Sequence, residues 1–178
     1  MGIIILQNLS NSVELISKAQ CDFFSENSIV AFENNKHISG CRLQVVGEEE
    51  KDFIIEWNKS FNRSGYREEK KITEHAAEAI SFFLTRHFTK FTVIEEAIIG
   101  TGVDYWLGYD EGHELYNAKN FLQARLEISG INKETSSNNL EQRIKQKEKQ
   151  SKKSRGSNLP AFISIVEFSS PKAFFGEK

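Results

Sequence analysis

The stretch Ala161–Phe168, AFISIVEF, is apolar on both sides of an extended chain. Ile163 and Ile165 project one way, and Phe162, Val166 and Phe168 the other, because successive side chains of a strand alternate between faces. Such a strand belongs in the middle of a sheet covered on both faces, which calls for helices packed above and below it. The rest of the chain can fill that core: 39% of its residues are hydrophobic, fourteen of them Phe.

The segments before this strand supply the expected partners. After Thr73, a fair N-cap, Ala76, Ala77, Ile80, Phe83, Leu84 and His87 recur at helical spacing. Phe91–Ile98 and Val103–Leu107 read as strands joined by a tight Gly100-Thr101-Gly102 turn. That Gly-x-Gly lies between two strands, not between a strand and a helix, so it is a hairpin turn and not a nucleotide loop. A polar loop, Tyr109–Asn120, leads to a strand over Phe121–Ile128 closed by Gly130. Ser136–Lys149 reads as a helix with Leu140 and Ile144 on one side and lysines elsewhere. Lys152–Pro160 is a basic connection into the central strand. The order is αβββαβ over residues 73–169, an α+β or α/β class with a mixed sheet.

Residues 1–20 carry a helix-like pattern at Val13, Ile16 and Ala19, with Asn11 or Ser12 as cap. Ser28–Glu33, Cys41–Val46 and Asp52–Trp57 read as strands, the last two joined by a hairpin loop at Gly47-Glu-Glu-Glu-Lys51. Residues 58–72 are polar and contain a Ser-Gly turn. The expected division is a small antiparallel extension with a helix over 1–60, used for recognition or dimer contact, a linker over 61–72, and the core over 73–178.

A net charge of −2 neither favours nor excludes nucleic acid, so any such surface has to be local. The two cysteines, Cys21 and Cys41, lack any framework or zinc spacing and fit a reduced, cytoplasmic protein. No run reaches the eighteen apolar residues of a membrane span, and Met1–Leu6 is too short for a signal segment. The histidines His37, His75, His87 and His113 sit in unrelated contexts.

Strand phase isolates the chemistry. On 121–129, Leu122, Ala124, Leu126 and Ile128 face one way, while Gln123, Arg125, Glu127 and Ser129 face the other. Asp104 starts the preceding strand. Two carboxylates on neighbouring strands can share a hard cation, and Mg²⁺ is normally held by one or two carboxylates plus water and phosphate. Such a cation lowers the pKa of a water and stabilises charge on a phosphodiester. Trp106 is a strand aromatic that fits core or half-core packing; sharing the strand face of Asp104, it is also a candidate to line the same cleft and stack on a base. The run Arg143–Arg155, RIKQKEKQSKKSR, is dense in positive charge beside these acids, and Arg143, Lys145, Lys149, Lys152, Lys153 and Arg155 are candidate phosphate contacts.

GTGVDYW at 100–106, ARLEISG at 124–130 and RIKQK at 143–147 resemble the motif series of the PD-(D/E)XK, restriction-endonuclease-like nuclease superfamily. TEHAAEAI, GTGVDYWLG, RLEISGI, QRIKQK and LPAFISIVEFSSP further resemble a group of small bacterial proteins with no established activity. The superfamily resemblance implies Asp104 and Glu127 as ligands of Mg²⁺ or Mn²⁺, and a nuclease acting on DNA or RNA, in a restriction or phage-defence setting. It also implies a lysine two residues after the second acid, where this chain has Ser129. In some members that lysine migrates to the next helix. Lys147, three residues beyond Ile144, is then the first candidate and Lys145 the second. Glu74 and Glu78, on one face of the first helix, are auxiliary candidates. The alternative is a catalytically degenerate module of the same fold, binding nucleic acid or serving as a subunit beside a protein partner.

Overall fold

The structure is a computed structural model and describes residues 1–13, 15–98, 100–153 and 158–178, with 151–153 as backbone only. Its elements are β1 (Gly2–Ile5), α1 (Lys18–Asn34), β2 (Cys41–Gly47), β3 (Lys51–Glu56), α2 (Glu69–Phe88), β4 (Thr92–Glu96), β5 (Tyr105–Gly108), β6 (Ala124–Ile131), α3 (Leu140–Lys153), β7 (Ala161–Glu167) and β8 (Lys172–Glu177). One mixed sheet takes up all eight strands among the described residues, in the order β1-β3-β2-β8-β7-β6-β5-β4. Parallel pairing of β2 with β8 joins the amino-terminal strands to the rest. From α2 to β7 the element order is helix, three strands, helix, strand.

The sheet is the middle of three layers. Leu126, Phe162, Val166 and Phe175 meet α1 and α2 on one face. Ile163, Ile165 and Phe174 meet Leu140 and Ile144 of α3 on the other. Every residue of β7 is buried, as its two apolar faces demand. Among the described residues no helix is long and apolar enough to cross a membrane.

The amino-terminal reading needs correction. Residues 2–5 form a strand, and a 3-10 turn over Leu6–Asn11 follows. The first α-helix starts only at Lys18, where Ser17 Oγ accepts the Gln20 N–H. Asn11 and Ser12 cap no α-helix, and Val13 and Ile16 are buried anchors in the approach to it. Ser28–Glu33 is not a strand but the last turns of α1. Ile29, Val30, Ala31 and Phe32 are all buried because α1 packs along α2 and Phe32 is enclosed by Trp57 and Phe168. A short, wholly buried apolar run has no periodicity to separate strand from helix. Ser28 Oγ donates to the Ala76 carbonyl at 2.9 Å, and Ala76, Ala77 and Ala79 let the two helices lie close.

Thr73 is not the N-cap of α2. Glu68 caps it, and Thr73 sits a turn inside, its hydroxyl on the Glu69 carbonyl. Gly130 does not close β6 either; the strand runs on to Ile131. A Cβ at Gly130 would lie 2.4 Å from the Thr73 carbonyl oxygen, so glycine here permits close approach of α2 to the strand. The central strand is also not the last: β8 follows β7 through a turn in which buried Glu167 accepts from Ser169 N and Oγ and from Ser170 N.

Candidate active site

Asp104 immediately precedes β5. Its N–H donates to the Leu126 carbonyl at 3.2 Å and its own carbonyl accepts the Ala97 N–H at 2.9 Å, so it extends the ladder between β4 and β6. Tyr105 pairs with Leu126 and Trp106 with Arg125. By alternation, Tyr105 and Leu126 face α2, while Asp104, Trp106, Arg125 and Glu127 face α3. That second face is polar but not wet: Arg125 is 6% and Glu127 2% exposed.

Lys147 reaches this face from α3. Leu140 and Ile144 pack on the sheet, and Lys147 lies nearly one turn beyond Ile144 on the same side. Its ammonium stands 3.2 Å from Asp104 Oδ2 and 3.6 Å from Glu127 Oε2. Asp104 Oδ2 also accepts the Ile128 N–H at 2.7 Å, which ties its carboxylate to the strand that carries Glu127. The side chains of Lys147 and Glu127 are 16% and 3% exposed, whereas Asp104, at 43%, opens to solvent. Burial pushes the Glu127 carboxyl above the usual carboxylate range; the Lys147 ammonium pulls the other way and Asp104 adds to the rise.

These groups line one wall of an open cleft of about 1210 Å³ that wraps around the end of β6 to the first turns of α2. Glu78 lines the cleft from the α2 side. One of its oxygens accepts the Tyr105 hydroxyl and the other meets His75 Nδ1, both at 2.9 Å. The bond to Glu78 raises the His75 pKa, and burial raises that of Tyr105. Glu74 is 57% exposed and pairs with Lys70 at 3.8 Å at the cleft margin. Lys145 is not brought to the acids: it points outward, 64% exposed, onto Glu141 at 2.5 Å. Arg143 is half-buried in the cleft wall, with Nε on Asn138 Oδ1 at 2.7 Å. Lys149 is exposed. Trp106 is half-buried and does not line the cleft. Arg155 and the side chains of Lys152 and Lys153 lie outside the described residues.

The sequence reading singles out Glu78 but not Asn132, Asn138 or the partners His75 and Tyr105 that Glu78 joins. The signal for the last was present: His75 and Glu78 are three apart on a helix, and strand alternation puts Tyr105 opposite Asp104. Among the described residues no group of three or more His, Cys, Asp or Glu side chains converges as a metal cluster. A cation at this site would therefore have two protein carboxylates, the number Mg²⁺ commonly uses when phosphate and water complete its shell. The pair fits such an ion: both donors are hard oxygens, and both already converge on one positive charge, the Lys147 ammonium. Compared with protein-family models, curated proteins and solved structures, the chain matches none.

Proposed function

We propose that the protein is a Mg²⁺- or Mn²⁺-dependent phosphodiesterase acting on DNA or RNA, built on a restriction-endonuclease-like core of the PD-(D/E)XK type. The supporting observation is the Lys147 ammonium of α3 in contact with both Asp104, just before β5, and Glu127 of β6 in the wall of an open cleft. Asp104 and Glu127 would hold the cation, which when bound supplies charge stabilisation and a more acidic water. The ionised Glu127 carboxylate, shielded from solvent, would sit in a poorly screened place, where electrostatic groups act most strongly. Lys147 would hold a phosphate oxygen or the attacking water through its ammonium protons. Arg143 in the cleft wall, and Lys149, Lys152, Lys153 and Arg155 later in the sequence, would contact neighbouring phosphates. Nuclease activity of this kind would suit a bacterial restriction or phage-defence system.

A second reading keeps the fold and drops the chemistry: a binding module or subunit descended from a nuclease. Ser129 favours it, because serine stands where the superfamily's lysine is expected. Incubation of the protein with single- and double-stranded DNA and RNA, with Mg²⁺, Mn²⁺ or chelator, separates the two. The enzyme reading requires cleavage that chelator stops and Asp104→Asn abolishes. No cleavage of any substrate by wild type, together with a gain on Ser129→Lys, leaves the binding module.

A further inference from the structure

The superfamily resemblance places a lysine on the strand of the second acid, two residues after it. Here Ser129 holds that place, and the positive charge arrives on a separate helix with a four-carbon stem. Its ammonium contacts both carboxylates, at 3.2 Å from Asp104 Oδ2 and 3.6 Å from Glu127 Oε2. A hard divalent ion would need the same oxygens at about 2.0–2.6 Å. Both cations cannot hold that position together.

We propose that Lys147 is the resident counter-ion of the site and competes with the divalent cation for Asp104 and Glu127. The proposal rests on the metal-dependent reading above and adds how that site is regulated. Glu127 is buried deeply enough that, unpaired, its charged form is costly. The ammonium neutralises it while no metal is present, so the fold keeps an ionised, preformed pair. When the divalent ion takes the carboxylates, Lys147 is released by stem rotation toward the cleft, where a phosphate would lie and where Arg143 already lines the wall. Release of the lysine and loading of the ion are then one exchange, and the ammonium becomes available to substrate only in the loaded protein. The exchange also weakens metal binding, because each ion must displace a paired cation.

Calorimetric titration of the full chain with Mn²⁺ alone tests this. Lys147→Met, which keeps the length of the stem and removes its charge, should bind Mn²⁺ on the order of tenfold or more tighter than wild type. Lys147→Arg, a bidentate competitor that keeps the fold's counter-ion, should bind more weakly than wild type. Metal-free Lys147→Met should melt below wild type, and Mn²⁺ should recover the difference. Equal or weaker Mn²⁺ affinity in Lys147→Met overturns the competition and leaves the metal reading standing. Should Lys147→Met not fold, unchanged affinity in Lys147→Arg overturns it equally. Absence of Mn²⁺ binding in wild type and both variants overturns the metal reading itself, and the exchange with it.

Discussion

Removing the Lys147 charge should cost stability in a way that depends steeply on pH. In Lys147→Met the buried Glu127 carboxylate loses the ammonium 3.6 Å away, and Asp104 loses the same partner at 3.2 Å. Breaking one side of a fully buried ion pair costs about 3–5 kcal/mol. Asp104 is 43% exposed and water can serve it, so the expectation is the lower end, about 3 kcal/mol near pH 8. For a chain of this size that is a fall of roughly 6–12 °C in melting temperature. The sign of the pH dependence follows from Glu127. Burial already raises its folded pKa, and the variant removes the chief influence pulling it down. A carboxyl with a folded pKa above its unfolded value favours the fold at low pH, and that contribution is lost as pH rises through the folded pKa. The variant should therefore approach wild type as acidification protonates Glu127 and fall away as Glu127 ionises. Lys145→Met is the control: its pair with Glu141 is on the surface, and its stability should follow wild type at every pH. Thermal melts of the three proteins as a function of pH decide the matter. A deficit in Lys147→Met that is small at pH 8, or that does not shrink on acidification, would refute the reasoning.

Metal affinity should fall as acidification protonates Glu127, beginning above the pH at which an ordinary carboxylate protonates, because only the ionised carboxylate binds the ion; pH-independent affinity in calorimetric titrations would contradict it. Replacing Arg143 and Lys149 by Glu should weaken nucleic-acid binding and flatten its salt dependence, each lost contact removing about 0.9 from the slope on duplex DNA; an unchanged slope puts the binding surface elsewhere. Gly130→Ala should destabilise by about 1–3 kcal/mol or more in urea titrations, since its Cβ would meet the Thr73 carbonyl at 2.4 Å, and a neutral result would mean that α2 can move off β6 at little cost.

The site was more legible in the sequence than the amino-terminal half, and the difference has a physical basis. Alternation on β6 separates Leu126 from Glu127 whatever the neighbours are, and Leu140 with Ile144 fixes the inner side of α3, which aims Lys147 at the sheet. Those patterns exist because each element has one buried and one polar side. Elements enclosed all round lose the pattern. The run Ile29–Phe32 is buried on every side in α1 and reads equally well as a strand. Four successive residues of β8, from Ala173 to Gly176, are buried, again without alternation. The start of α2 misled for the opposite reason: Glu69, Lys70 and Lys71 are exposed and polar like a linker, although they form its first turn. Contacts between distant segments, such as Tyr105 on Glu78, depend on the packing of α2 against β5 and leave only a faint trace in spacing.

The most direct measurement is single-turnover cleavage at saturating substrate with Mg²⁺ or Mn²⁺, comparing wild type with Lys147→Ala, Lys145→Ala and the double substitution Lys147→Ala/Ser129→Lys. Wild type should cleave. Lys147→Ala should lose about a hundred- to a thousandfold, the usual cost of one group that stabilises developing charge. Lys145→Ala, whose ammonium points away from the acids, should lose far less. A lysine at 129, on the strand face of Glu127, should recover part of the loss. A wild type that cleaves nothing, or a Lys147→Ala variant as fast as wild type, would contradict the assignment of Lys147, Asp104 and Glu127 as one catalytic unit.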